Sequence, residues 1–178
     1  MAAYVDLATL HVPTVGGNPP ASWGLQVRDN FDRIANPPRF RIARTTAQSI
    51  PTGVTTAVTL NSSQLNAGYS GASSHWTSGT NVTIRDTGEW LVGYEIRMEA
   101  AAAGARLFAI DVNAGTSFVA VSEMPAAGSG WLVGQAACAQ ERFSAGAVLK
   151  LVAFQSSGVA VNVGTTQPLR IWGRWIGP

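Results

Sequence analysis

Two histidines, one cysteine and ten acids are the stock from which this chain could build a reactive centre, and they are scattered. His11 stands in a proline-rich N-terminal stretch and His75 in a Ser/Gly-rich one. Neither has a carboxylate or Cys138 at the spacing of a nucleophilic site or a zinc site. Asp86 and Asp111-Val112-Asn113 offer oxygens to a calcium ion without the acid-rich periodic loop of a strong site, so these side chains read as turn caps. Gly128-Ser129-Gly130 lacks the Lys-Ser/Thr ending of a phosphate loop. Cys138 has no partner for an intrachain disulfide and lies in an alternating apolar run, as a small hydrophobe would. The expectation is a protein with no enzyme activity, no cofactor and no bound metal.

The informative excess is tryptophan: Trp23, Trp76, Trp90, Trp131, Trp172 and Trp175. In RIWGRWIG, Trp172 and Trp175 fall on opposite faces of one strand, so they cannot share one core. Burial between subunits uses Trp and Arg in this way, and Leu91, Arg97, Trp172 and Trp175 are the expected residues of such an interface. Exposed aromatics also make glycan platforms. On that reading Ser73-Ser74-His75-Trp76 is an exposed loop with an aromatic anchor, and Tyr69, His75 and Trp76 are the candidate contacts.

Charge excludes other partners. Twelve bases against ten acids leave a formal charge of +2, and only Arg39, Arg41 and Arg44 cluster, after a Pro-Pro pair. That is too little for a nucleic-acid face, and the three read as solvated or interface arginines. No stretch reaches the roughly 18 to 20 apolar residues of a membrane span, and the N-terminus lacks the pattern of a secretion signal. The expectation is a cytoplasmic product with no membrane partner.

These residues need elements to hold them. Residues 1 to 20 carry three prolines, a Gly pair and aperiodic apolar residues, which predicts an extended arm ordered by lying on something else. Over residues 21 to 36, Trp23, Val27, Phe31 and Ile34 form one stripe of a short helix, with Ser22 placed as its N-cap and Pro37-Pro38 ending it. Such a helix is marginal alone, so its stripe must be buried against the body, a second copy or another protein. From Pro38 onward the chain alternates in strand fashion. Val82 to Met98 is the clearest part, two alternating runs joined by Asp86-Thr87-Gly88, with Trp90, Val92, Tyr94, Ile96 and Met98 on one side and Glu89, Leu91, Gly93, Glu95 and Arg97 on the other. Asn61 to Thr80 reads as a long surface connection. The whole predicts an all-β antiparallel jelly-roll sandwich of roughly nine or ten strands, with residues 1–38 as arm and helix and residues 39–178 as the body.

The body from about Phe40 to Gly177 resembles the compact trimeric jelly rolls of the tumour-necrosis-factor and complement-globular-head type. The resemblance is carried by Thr87-Gly88-Glu89-Trp90-Leu91-Val92-Gly93-Tyr94 and by Phe143 to Leu151 leading through Phe154-Gln155-Ser156-Ser157-Gly158 to Trp175-Ile176-Gly177. The final strand departs from the family, with Trp and Arg where Phe is usual. Ala21 to Phe31 followed by Pro37-Pro38 looks like a segment of tailed-phage virion proteins, among them minor tail and head-decoration proteins. Together these resemblances imply a homotrimer on the surface of a phage virion. Residues 1–38, with Trp23, Val27, Phe31, Ile34 and Arg39 foremost, would attach it to a major capsid or tail protein. The alternative they leave open is recognition of a host-surface glycan or receptor by a phage fibre.

Overall fold

The computed structural model describes residues 21–67, 74–101, 103–115, 117–125, 133–164 and 168–178. The expected arm of residues 1–20 lies outside them, as do Tyr69 and Trp131. The chain runs through one helix, α1 (Ala21–Ala35), then β1 (Arg39–Arg44), β2 (Gln48–Ile50), β3 (Thr56–Ala57), β4 (Ser62–Ala67), β5 (Val82–Thr83) and β6 (Gly88–Met98). It continues with β7 (Ala105–Val112), β8 (Ser117–Pro125), β9 (Val133–Phe143), β10 (Val148–Gln155), β11 (Val161–Val163) and β12 (Leu169–Gly177). All pairings are antiparallel, and the strands form two sheets packed face to face as a jelly-roll sandwich.

The larger sheet, A, is centred on β6. One edge of β6 carries β9 along Gly88 to Met98, and the other carries β12, followed outward by β1 and β4. At Met98 that edge passes to β11, which pairs β2. Sheet B runs β3, β10, β7, β8, with β5 also on β10. The alternation of β6 places Trp90, Val92, Tyr94, Ile96 and Met98 in the core, where they meet Phe108, Ile110, Leu149 and Leu151 of sheet B.

Three local expectations are corrected. The runs on either side of Asp86-Thr87-Gly88 do not pair as a hairpin: β5 pairs β10 in sheet B, and β6 lies in sheet A. The turn is therefore a crossing between sheets. Only glycine fits at Gly88, with φ +148° and a would-be Cβ 2.2 Å from both the Gly177 carbonyl and the Trp175 indole nitrogen. Residues 61–80 are not all surface connection, because Ser62–Ala67 pairs β1 as an edge strand. Ser22 lies one residue inside α1 (Ala21–Ala35), not at the position before it.

One bulge resets the pattern of β8. Ile110 pairs Val119 and Phe108 pairs Ser122, leaving an extra residue where Ala120 adopts φ 50°. The shift turns Val121 out to solvent and Ser122 inward. There Ser122 Oγ lies 2.5 Å from the Tyr94 hydroxyl and donates to Gln135 Oε1 at 2.5 Å. This buried chain ties the two sheets together.

Candidate interaction surface

The outer face of sheet A is built by register. One row across it reads Leu65, Arg41, Trp172, Gly93, Cys138 from β4 to β9. The next row reads Ala67, Arg39, Arg174, Leu91, Gln140. Trp172 lies down over Gly93, where a Cβ would stand 2.5 Å from its ring and 2.7 Å from the Ala137 carbonyl. A glycine inside a strand marks such a close approach. Beside the indole, a groove of about 290 Å³ is lined by Arg39, Arg41, Leu65, Trp172 and Arg174.

Charge on this face is predominantly positive. Glu95 is held by Arg170 at 3.2 Å and Glu89 by Arg142 at 3.5 Å, while Arg39, Arg41, Arg97 and Arg174 stand exposed. These surface ion pairs are worth little individually, so they orient side chains more than they hold the sheet.

Of the four residues expected at a subunit interface, Leu91, Arg97 and Trp172 lie on this face. Trp175 is the correction. It is 5% exposed, in the core, and its Nε1 donates to the Thr87 carbonyl at 3.2 Å. Alternation separates it from Trp172, and its inward side is already covered by the second sheet.

Helix α1 is attached to the body by its polar side. Arg33 is buried and reaches Asp86 at 3.7 Å, Asn30 is buried beside it, and Pro37 and Pro38 are buried at the exit. The apolar stripe is left outside: Phe31 is 67% and Ile34 69% exposed, Val27 is half-buried, and Leu25 is exposed. The Trp23 side chain lies outside the described residues. Within this subunit Phe31 and Ile34 of the stripe are not buried against the body.

The expected aromatic loop is corrected most strongly. His75 is 1% exposed, wedged between Phe40 and Trp90 with ring centroids 5.4 Å and 5.3 Å away. Asn66 fixes it there: its side-chain oxygen accepts from the backbone N–H groups of His75 and Trp76, and its amide donates to the Trp76 carbonyl at 2.6 Å. His75 Nδ1 donates to the Thr83 carbonyl at 3.0 Å, and Nε2 is buried without a hydrogen bond, although the Ala67 carbonyl also acts on the ring. Burial pushes the imidazole pKa down, partly opposed by the Thr83 carbonyl and the Asp86 charge. Trp76 is half-buried against the core, with its indole N–H on Gly79 at 3.1 Å. The Ser/Gly-rich context concealed this, because Asn66 lies across the loop and the bond depends on the register of β4. Among the described residues no group of three or more His, Cys, Asp and Glu side chains is placed to hold a metal.

A second surface was not foreseen in the sequence. Among the described residues β8 pairs only β7, which leaves its other edge without a strand partner there, and Phe118, Val121 and Met124 are exposed along it with Glu123 between them. Its exposure depends on the bulge at Ala120, which the alternation of residues does not signal.

The architecture is a jelly roll whose likeness to solved structures is one of fold. Murine APRIL at pH 8.0 superposes with a TM-score of 0.58 at 11% identity, covering 78% of this chain and 98% of that one. Murine APRIL at pH 5.0 gives 0.54 at 11% identity, with 77% and 98% covered. The globular domain of zebrafish complement 1qA gives 0.49 at 12% identity, with 78% and 97% covered. No family model and no curated protein sequence matches the chain.

Proposed function

We propose that this chain is a structural virion protein of a tailed phage: a homotrimeric surface module, on the capsid or at the tail, that attaches through residues 1–38 and projects the jelly roll. The observation that carries the attachment is α1. It is pinned to the body through Arg33 and Asp86, yet it turns Phe31 and Ile34 into solvent. A helix held in that pose is a preformed apolar ridge for a groove on another protein. The phage setting rests on the resemblance of residues 21–31 and Pro37-Pro38 to virion segments.

The trimer has support in the two surfaces of the body. A closed ring of three needs two different patches that fit each other, since each subunit offers one to each neighbour. The basic face around Trp172 and the open β8 edge with Phe118, Val121 and Glu123 are such a pair, complementary in apolar character and in charge. Glu141, exposed on neighbouring β9, adds to the acidic side.

Removing residues 1–36 should leave a trimer in sedimentation that no longer binds virions, and Phe31→Asp with Ile34→Asp should do the same in the full chain. A truncated protein that still decorates particles overturns the assignment of the segment. Trp172→Ala combined with Val121→Glu should give monomers; a variant that still sediments as a trimer overturns the pairing of surfaces. The glycan alternative retains Trp76 as its described, partly accessible aromatic, and a glycan array with wild type and Trp76→Ala tests it.

A further inference from the structure

At the end of the sandwich away from Trp90, the second residue of β7 is Arg106, whose side chain points between the sheets and is 0% exposed. Arginine does not shed its proton in proteins, so this is a permanent buried cation. Its Nη1 donates to the Ala103 and Ala105 carbonyls at 3.3 and 3.0 Å. Nε and Nη2 have no partner, which leaves three N–H groups of the fork unsatisfied. Among the described residues no carboxylate pairs with it, and burial alone pushes its pKa down with no opposing acid. An isolated buried charge costs several kcal/mol unless it is compensated.

Of the polar groups around it, some are already engaged and one is itself an unmatched donor. Gln155, directly opposite on β10, is fully committed: its amide donates to the Ile50 and Val159 carbonyls and its oxygen accepts from Ser157 N–H and Oγ. It has no oxygen to spare for the guanidinium. One inward position along β7, Phe108 pairs Ser122, which spends its proton on Gln135 Oε1. Gln135 Nε2 is buried and unpartnered in turn. Among the described residues the unmatched side-chain atoms at this end are thus N–H groups, and their number and sign call for one acceptor that carries negative charge.

We propose that the polar end of the sandwich holds a small monovalent inorganic anion, of the chloride class, on the Nε and Nη2 edge of Arg106. The anion neutralises the guanidinium in place of a protein carboxylate and belongs to each subunit, whether or not three subunits assemble.

Thermal unfolding of the full chain in sodium chloride and in sodium gluconate, at equal ionic strength and pH, tests it. A stabilising ligand that binds only the folded state raises the midpoint by mass action, by about 5 °C here at saturating chloride. Arg106→Met, which keeps the stem and removes the charge, should lose the difference between the two salts. Should that variant not fold, crystals of the wild type soaked in bromide decide: an anomalous peak at hydrogen-bond distance from Nε and Nη2 is the expected result. Equal midpoints in the two salts with no bromide peak, or density that refines as water alone, overturn the proposal.

Discussion

The two ends of the sandwich handle buried polarity in opposite ways. At the Trp90 end, each aromatic polar handle finds a backbone carbonyl: Trp90 Nε1 on Asp86, Trp175 Nε1 on Thr87, His75 Nδ1 on Thr83. What stays unmatched there is acceptors, His75 Nε2 and Asp86 Oδ2. At the Arg106 end the remainder is donors. One end is therefore short of donors and the other short of acceptors. Rings pack densely and expose few polar atoms, so their end can seal on backbone carbonyls alone, whereas a guanidinium brings five donors and a fixed charge.

The largest effect that would sharpen this contrast is expected from Trp90→Ala. The ring is fully buried between Phe40 and His75, and its loss should cost about 3–5 kcal/mol in denaturant unfolding. Gln155→Leu at the other end should cost less, about 1–3 kcal/mol, by stripping partners from the Ile50 and Val159 carbonyls and from Ser157. If Gln155→Leu proved the more costly, the view of the aromatic end as the main store of stability would be wrong. The smallest effect is a dependence on pH. Because the folded protein holds the His75 pKa below its ordinary value, the unfolded chain takes up a proton first on acidification. The associated stability is present above the ordinary histidine value of about 6.5 and is lost as pH falls through it towards the lower folded value. The melting midpoint should fall by a few degrees between about pH 7.5 and 5.5, and His75→Phe should flatten that slope. An unchanged slope would assign the acid sensitivity to other groups.

Much of this was legible in residue order, and the rest failed for definite reasons. The spine of β6 was readable because its alternation is long and uninterrupted, and the exclusion of a helix from the body followed from strand runs too short to be anything else. The Asp86-Thr87-Gly88 turn misled, since a turn between two alternating runs reads as a hairpin unless the contact of Gly88 with Trp175 is known. His75 misled because a serine- and glycine-rich neighbourhood signals a surface, while the residues that draw it inward, Phe40, Asn66 and Trp90, are distant in sequence. The apolar stripe of α1 was found correctly, but the side of the helix that faces the body is decided by Arg33 and Asp86, a pair 53 positions apart. Trp172 and Trp175 were separable by parity alone; which of them faced the core depended on where the second sheet lay.

The junction between α1 and the body also has a mechanical meaning. Pro37 and Pro38 are buried, and the Pro38 carbonyl accepts the Trp175 N–H at 2.9 Å, so the helix leads into β1 without a loose tether. β1 is gripped on both sides, by β12 and β4. Tension entering through the helix is spread along two antiparallel ladders at once and loads their hydrogen bonds in shear. A strand peeled from a free edge would instead surrender its bonds one after another. On the attachment proposed for the helix, the jelly roll would hang from one of the better-secured strands of its larger sheet, and its orientation would follow that of whatever the helix grips.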